Sequence, residues 1–234
     1  MSPNVAGWVA ELRSRATAHG PASTADRAAA ALRALIADGH LPPGTQVPEQ
    51  VVADALQLSR NTLREAFRLL AGEQLLEHKV NRGVFVCQLD RADIVDIYAT
   101  RTFLECAALR SADGPSEAQL ATLDTAVAEA RRARDAGEGT AMGSADLAFH
   151  QAVMALAGSS RLDAFITSLF AQLRLAFHVM ADPHAFHAAY VERNADILQL
   201  LRDGDQAAAS ATMHAYLHDA CEQILTALPE DPSD

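Results

Sequence analysis

The sequence is poor in cysteine, and its three cysteines are far apart. Cys87, Cys106 and Cys221 lie in apolar stretches and have neither the spacing of a disulfide framework nor that of a zinc site. This excludes a small secreted scaffold that is held together by disulfides. We therefore expect buried, reduced thiols, as is typical of cytoplasmic proteins.

Long hydrophobic runs are also missing. No stretch approaches the roughly eighteen consecutive apolar residues of a transmembrane helix. The first residues lack a basic start followed by a long apolar core, so they do not predict a secretory signal. We expect no membrane partner and a cytoplasmic location.

Acidic residues are in excess, but only in one part of the chain. Residues 1–90 hold nine Lys/Arg and nine Asp/Glu, whereas residues 91–234 hold ten and 21, so the formal net charge of −11 belongs to the second part. This net charge does not exclude nucleic acid as a partner, because binding depends on the charge of the binding face and not on that of the whole chain. The length allows one large domain or two ordinary ones, and the uneven distribution of charge favours two. We expect an extension at 1–22, whose role the sequence leaves open, domains at 23–89 and 90–228, and a tail at 229–234.

The most informative stretch is residues 58–70. Ser59 can accept a hydrogen bond from the free N–H groups of a new helix. Apolar side chains then recur at three- and four-residue spacing, at Leu63, Ala66, Phe67 and Leu70. The opposite face is polar near the helix N-terminus and carries Arg60, Asn61, Arg64 and Arg68. Arginine pairs with guanine edges and phosphates, and asparagine with adenine, so this face has the chemistry of base readout; a solvated basic face is the alternative.

The preceding stretch completes a two-helix motif. Residues 48–56 predict a short helix, and Gln57-Leu58 predict a tight turn into the next helix. Two helices joined in this way are typical of a helix-turn-helix. A further helix at 25–37, capped by Ser23 or Thr24, would be the first helix of the domain.

The following stretch predicts a β-hairpin with a basic tip. Residues 75–78 and 84–87 are β-prone, and a turn lies between them. In that turn Lys79 and Arg82 can reach phosphates, and Gly83 permits a close approach of backbone to a groove.

These motifs in this order resemble the winged helix of the GntR family of transcriptional regulators. The resemblance rests on Leu41-Pro42-Pro43-Gly44, on the run S-R-N-T-L-R-E-A-F at 59–67, and on Arg82-Gly83 in the hairpin. Gln50 stands where the closest FadR-type members place a DNA-contacting arginine, which can weaken phosphate contact or shift base preference. The family implies DNA contacts mainly from Arg60, Arg64 and Gly83, with Asn61 and Thr62 beside them.

The second part of the sequence predicts an all-α domain. Capping and breaking residues divide it into six helices, at about 90–111, 117–135, 144–157, 161–181, 184–203 and 205–228. The predicted fold class is therefore mainly α. It combines an N-terminal winged helix-turn-helix, with three helices and a small β-hairpin, and a C-terminal six-helix bundle.

Asp146 and His150 stand four residues apart, so a helix places both on one face. A carboxylate and an imidazole in this arrangement can share a divalent ion if other helices complete its coordination shell. The spacing alone favours a hydrogen-bonded pair inside the bundle. Three further histidines, His178, His184 and His187, we interpret as surface residues at a corner between helices.

This part of the sequence resembles the FCD effector domain of the FadR branch of the GntR family. The matching features are Arg101-Thr102-Phe103-Leu104-Glu105, the pair Asp146 and His150, and Gly204-Asp205. In many FCD proteins an Asp and three histidines hold a metal, which together with a nearby arginine receives a small carboxylate. Asp146 and His150 match the first two ligands, and Arg101 matches the arginine.

The other two ligand positions depart from the family pattern, because Asn194 and Tyr216 stand there. Asparagine coordinates weakly through its carbonyl, and neutral tyrosine is a poor zinc ligand. The resemblance thus implies a divalent metal, zinc or nickel-like, at reduced affinity or none. Without metal the cavity can still bind an anion. The implied effector site is Arg101, Glu105, Asp146, His150, Asn194 and Tyr216, although Arg101–Glu105 as a plain ion pair and Tyr216 as a core aromatic are alternatives.

The predicted function is a ligand-responsive transcriptional regulator, a repressor by family analogy, that binds a palindromic operator as a homodimer. A small organic acid in the second domain is the expected effector. One alternative is a metal-free cavity for a larger ligand, such as a fatty acyl thioester. Another is a metal-assisted enzyme that uses Asp146, His150 and Glu105, for which no activated nucleophile or nucleotide loop is evident.

Overall fold

The chain divides into two units between Leu89 and Asp90. The computed structural model describes residues 3–16, 23–111, 114–178 and 180–228. The predicted tail at 229–234 and residues 17–22 of the predicted extension lie outside these ranges. Within them, no helix has the length and apolar character needed to cross a membrane.

The described part of the N-terminal unit consists of four helices and a two-stranded antiparallel sheet. The hairpin pairs Leu76 with Val86 and Lys79 with Gly83. This confirms the predicted three helices and hairpin and adds one helix before them. In chain order the elements are α1 (Pro3–Ala16), α2 (Thr24–Ala37), α3 (Glu49–Leu56), α4 (Arg60–Gly72), β1 (Leu76–Lys79) and β2 (Gly83–Val86).

Helix α1 packs on α2 and α3. It buries Trp8 and Leu12 in the core of the unit. Arg13 also donates from Nε to the carbonyl oxygen of Ala55 at 3.2 Å. The weak amphipathic pattern at the start of the chain therefore belongs to a helix of the N-terminal unit.

Local capping explains where α2 and α4 begin. Ser23 accepts from the backbone N–H of Asp26 at 3.1 Å, and the Asp26 carboxylate accepts from the Ser23 N–H, which completes a capping box. Ser59 accepts from the N–H of Thr62 at 3.1 Å. Gln57, with φ 54°, forms the left-handed turn between α3 and α4.

The C-terminal unit is a bundle of six helices with no strand among its described residues. This confirms the predicted all-α domain. Helix α7 lies at the centre, because it packs on α5, α6, α8 and α9, and α10 closes the bundle against α5 and α9. The helices are α5 (Arg91–Ser111), α6 (Glu117–Asp135), α7 (Gly139–Ala155), α8 (Ser160–Phe177), α9 (Pro183–Arg202) and α10 (Gln206–Ala227).

Several local predictions need correction, among them the end of α8, which is Phe177 and not about residue 181. Helix α7 begins at Gly139 and not at about residue 144. A side chain there would come within 3.3 Å of the His184 backbone, so this glycine serves the close approach of two helix ends. Of the three cysteines, all free thiols, Cys106 is buried as predicted, but Cys87 and Cys221 are half-buried.

A second glycine sets the distance between α7 and α9. A Cβ atom at Gly143 would lie 2.6 Å from Nε2 of His187. His187 is itself buried, 3% exposed. Its imidazole therefore fills the space that a larger residue at position 143 would need, and the interpretation of His187 as a surface residue is wrong.

Gly143→Ala should destabilise the protein, although alanine favours a helix over glycine by about 1 kcal/mol. The added methyl group would overlap the His187 imidazole, and overpacking of this kind costs about 1–3 kcal/mol. Urea unfolding of both single variants and of Gly143→Ala/His187→Ala isolates this clash in a double-mutant cycle. Gly143→Ala should become stabilising in the His187→Ala background; equal effects in both backgrounds would contradict the clash.

Candidate functional site

Two groups of residues carry the predicted functions, one in each unit. In the N-terminal unit, α4 exposes its polar face and buries its apolar face. Its apolar residues Leu63, Ala66, Phe67 and Leu70 are buried. Of the five residues of α4 predicted for DNA contact, four are exposed: Arg60, Asn61, Arg64 and Arg68. Thr62, which is half-buried, shares a hydrogen bond of 2.8 Å with the Ser59 hydroxyl.

The arginines of this face make only weak contacts within the protein. Arg64 is 60% exposed and lies 3.6 Å from the Glu49 carboxylate, and Arg68 is 75% exposed and pairs with Glu65 at 3.1 Å. Exposed ion pairs contribute about 0–1 kcal/mol. The guanidinium groups can therefore exchange these partners for phosphates or base edges at little cost.

Gln50, which replaces an expected arginine, lies beside the recognition face. Its Oε1 accepts from Nη2 of Arg60 at 3.2 Å, and its Nε2 donates to Asp54 at 2.8 Å. Gln50 thus orients Arg60 and adds no charge of its own.

The basic tip of the hairpin is built on Phe85. Lys79 Nζ lies 5.2 Å and Arg82 Cζ 5.6 Å from the centre of its ring. Gly83 has φ 101°, and a Cβ atom at this position would lie 3.3 Å from Nε2 of Gln46, which donates to the Arg82 carbonyl. Glycine is thus needed at position 83 for the backbone conformation, apart from any contact with DNA.

A cavity of about 260 Å³ lies between α4 and the hairpin. Arg64 and Arg68 line it from α4, and Glu77 and His78 line it from β1. The sequence interpretation missed His78, which is exposed beside the two arginines. The alternation of residues in a β-strand could have placed it on this side.

In the C-terminal unit, the structure brings all six predicted effector residues together. They come from four helices, and each is between 0 and 8% exposed. Two lie on α5, two on α7, and one each on α9 and α10. We call these residues the buried polar cluster: Arg101, Glu105, Asp146, His150, Asn194 and Tyr216.

One half of the cluster is organised by Glu105. Its Oε1 accepts from Nε of Arg101 at 2.8 Å, and its Oε2 accepts from Nδ1 of His150 at 2.5 Å. Burial alone would raise the pKa of Glu105, but Arg101 and His150 outweigh burial and lower it. Burial likewise opposes the charge of Arg101, yet Glu105 raises the pKa of that guanidinium. Both groups are therefore charged, and the predicted ion pair is present inside the bundle.

The other half of the cluster is organised by Asp146. Its Oδ1 accepts from the Tyr216 hydroxyl at 2.7 Å and from Nδ2 of Asn194 at 2.8 Å. The same oxygen lies 3.8 Å from Nε2 of His150, which is too far for a hydrogen bond. Burial would raise the pKa of Asp146, but electrostatic interactions with the His150 and His187 imidazoles and the two donated hydrogen bonds lower it. Burial and the Asp146 charge raise the pKa of Tyr216 well above its usual value, so its phenol is neutral.

Several buried polar atoms of the cluster have no hydrogen-bond partner among the described residues. They are Nη2 of Arg101, Nε2 of His150 and Oδ1 of Asn194. The Arg101 guanidinium otherwise lies against the rings of Tyr98 and Phe170, at 5.0 and 5.3 Å. An unpaired buried polar group costs about 1–3 kcal/mol, so these atoms indicate a place where a polar ligand can bind.

Two residues of α9 next to the cluster were not predicted. His187 packs against Phe177 and Phe186, and burial lowers its pKa. Tyr190 stacks on Tyr216 with ring centres 4.6 Å apart. The spacing of three and four residues from His187 through Tyr190 to Asn194 places them on one helix face and could have revealed them.

The cluster does not provide a conventional metal site. Among the described ranges, no group of three or more His, Cys, Asp or Glu side chains is arranged to hold a metal ion. Of the three side chains in the cluster that are strong zinc ligands, Glu105 is already engaged by Arg101 and His150, which leaves Asp146 and His150.

Comparisons with known proteins follow the same division of the chain. Residues 24–86 match the family described as bacterial regulatory proteins, gntR family, and residues 96–219 match the FCD domain. A crystal structure described as a GntR transcriptional regulator from Rhodococcus sp. RHA1 has a TM-score of 0.84 and 38% identity, over 89% of this chain and 100% of that chain.

Relatives that match about four fifths of the chain are also named as regulators. The Nta operon transcriptional regulator of Aminobacter aminovorans is 27% identical over 80% of this chain and 87% of its own. The HTH-type transcriptional repressor RspR of Escherichia coli is 27% identical over 78% of this chain and 82% of its own.

Tyr216→Phe should lower the free energy of unfolding by about 1–3 kcal/mol, because it removes a hydrogen bond to a buried carboxylate. Tyr190→Phe is the matched control, since its hydroxyl is buried without a partner among the described residues. Urea unfolding of both variants at pH 7 should separate them by at least about 1 kcal/mol. Equal stability of the two variants would contradict the assigned role of the Tyr216 hydroxyl.

Proposed function

The chain belongs to the GntR family of bacterial regulatory proteins and carries an FCD domain, and we propose that it binds a palindromic operator as a homodimer under the control of a small organic acid. Family members and relatives are transcriptional regulators and not enzymes. The proposal concerns how this regulator contacts DNA, assembles and responds. We further propose that it is a repressor and that the effector relieves repression.

The observation that carries the DNA-binding proposal is the exposed polar face of α4. Arg60, Asn61 and Arg64 lie in its first two turns, where a recognition helix meets base edges in the major groove. Arg68 and the hairpin residues Lys79 and Arg82 extend the positive surface toward flanking phosphates. The acidic excess of the chain lies in residues 91–234 and leaves this face basic.

The proposed dimer matches the two-fold symmetry of a palindromic operator. One recognition helix reads a few base pairs, and a two-fold protein places two such helices on a two-fold site. Linking both contacts raises the affinity far above that of a single half-site, provided that the spacing allows both to bind. A change of spacing is therefore enough to release the DNA.

The buried polar cluster is the proposed effector site. Four helices contribute to it, so a ligand that binds there can favour one arrangement of these helices over another. The ligand shifts the regulator only as far as its affinity differs between the two arrangements. The Nη2 of Arg101 is a donor without a partner among the described residues, which favours an acid as the ligand.

The polar character of the cluster favours a small organic acid as the effector over the alternative, a fatty acyl thioester. A long acyl chain needs apolar walls, since its binding energy comes from buried apolar area. Six polar side chains meet at the cluster, and two of them are carboxylates. This composition suits a small acid that forms several hydrogen bonds.

Arg64→Ala should weaken operator binding by roughly tenfold to a hundredfold per half-site and leave the melting temperature almost unchanged. Its side chain is mostly solvated, so the fold loses one weak ion pair at most. The probe is a duplex that the wild-type protein selects from a randomised library, and fluorescence anisotropy gives the affinity.

Arg132→Ala is the matched control for Arg64→Ala. Arg132 is a 73% exposed arginine of α6 with a similarly weak ion pair, to Glu129 at 3.7 Å. It should bind the duplex like the wild type. Unchanged binding by Arg64→Ala would remove Arg64 from the proposed recognition surface.

Arg101→Lys should abolish the response to the effector while the ligand-free protein still binds DNA. Lysine keeps the charge opposite Glu105, whereas alanine would leave a buried carboxylate unpaired at a cost of about 3–5 kcal/mol. Lysine lacks the planar fork, so effector affinity should fall by about tenfold or more. The effector is first identified by the thermal shift of the wild-type protein with a panel of small carboxylates.

Arg110→Lys serves as the control on the same helix. Arg110 is exposed and donates to the Ser210 hydroxyl at 2.8 Å, outside the cluster. It should release DNA at the same effector concentration as the wild type. A normal response of Arg101→Lys would exclude Arg101 from the effector site.

A further inference from the structure

We infer that the buried polar cluster holds its effector directly and without a metal ion, because Tyr216 and Asn194 take the place of metal ligands and fill the coordinating oxygen of Asp146 with hydrogen bonds. The inference rests on the proposed function, since it concerns the effector site assigned there. The metal is the one that the family resemblance implies, and the residues present do not fit it.

The first reason is that hydrogen bonds already occupy the Asp146 carboxylate. The oxygen of Asp146 that faces Nε2 of His150, at 3.8 Å, is Oδ1, so an ion held between these two atoms would bind Oδ1. Two hydrogen atoms already point at this oxygen, one from Tyr216 and one from Asn194. A cation in that position would face the positive ends of both donor groups, which opposes its binding.

The second reason is the chemistry of Tyr216. A tyrosine binds zinc well only as a phenolate. The Tyr216 hydroxyl is buried and lies 2.7 Å from the Asp146 carboxylate, where it must keep its hydrogen to form a hydrogen bond. As a neutral phenol, Tyr216 instead donates its hydrogen to Asp146.

The third reason is the orientation of Asn194. Its amide nitrogen donates to Asp146, so its carbonyl oxygen Oδ1 points elsewhere. Rotation of the amide by 180° would bring this oxygen against the charged Asp146 oxygen, which is repulsive. The Glu105 carboxylate is already engaged by Arg101 and by Nδ1 of His150. The cluster therefore leaves Asp146 and His150 as its two strong zinc ligands, whereas zinc sites in proteins use three or four.

The atoms without partners then define how a ligand binds. Nη2 of Arg101 supplies a charged donor, and Oδ1 of Asn194 supplies an acceptor, and neither has a partner among the described residues. A matching ligand has an acceptor such as a carboxylate for Arg101 and a donor such as a hydroxyl group for Asn194. The inferred effector class is thus a small hydroxylated carboxylate that contacts the protein itself.

The test is the metal content of the full-length protein, purified without an affinity tag or chelator and measured by mass spectrometry. We expect well under one metal ion per chain. Zinc should also leave the melting temperature of the wild type unchanged, since no complete coordination shell forms. Near-stoichiometric metal, or a rise of the melting temperature with zinc, would overturn the inference.

Two variants identify the residues that exclude the ion. Asn194→His/Tyr216→His supplies two imidazoles beside Asp146 and His150, and it should bind about one zinc per chain and gain thermal stability with zinc. Tyr216→Phe removes the hydrogen bond but adds no ligand, so it should stay free of zinc. A double variant without zinc would contradict the role given to Asn194 and Tyr216.

The ligand class is tested in the same protein. Thermal shifts with hydroxylated carboxylates should be identical with and without a chelator, and the corresponding acids without a hydroxyl group should give smaller shifts. Shifts that vanish with chelator would restore a role for metal. Neither readout involves DNA, so failure of the inference leaves operator binding intact, and failure of operator binding leaves the metal result intact.

Discussion

The arrangement of the C-terminal bundle depends on keeping the Asp146 carboxylate charged inside the protein. A buried charge is tolerated only when hydrogen bonds and opposite charges replace its hydration. Tyr216 from α10 and Asn194 from α9 supply the hydrogen bonds to this residue of the central helix α7. Glu105 imposes the same requirement on α5 and meets it with Arg101 and His150. The two carboxylates therefore tie four helices together at one place.

The two units use charged side chains in opposite ways. On α4 the arginines are solvated and held by weak ion pairs, so they can change partners when DNA is present. In the bundle, Arg101 and Glu105 are fully buried and firmly paired, so their positions depend on the packing of the helices. A regulator needs both, namely an exposed surface that binds DNA and an interior site whose contents affect helix packing.

Most of the fold could be predicted because its elements carry local signals. Ser59 caps α4, and Asp182-Pro183 begin α9, as the breaker at that position indicated. Two of the errors concern places where distant segments meet. The helix predicted from about residue 144 begins at Gly139, where the absence of a side chain leaves room for the His184 backbone. His187 is buried because it fills space left by a glycine on another helix.

The sequence by itself determined the winged helix-turn-helix, the six helices and the polar face of α4, because caps, helical periodicity and turn residues act within a few positions of one another. It also identified the six residues of the buried polar cluster, although only through family resemblance. Only the tertiary structure decided which groups donate hydrogen bonds to the Asp146 carboxylate, because Asn194 and Tyr216 lie 48 and 70 residues away along the chain. Hydrogen bonds over such separations are set by how helices pack, and no local pattern encodes them.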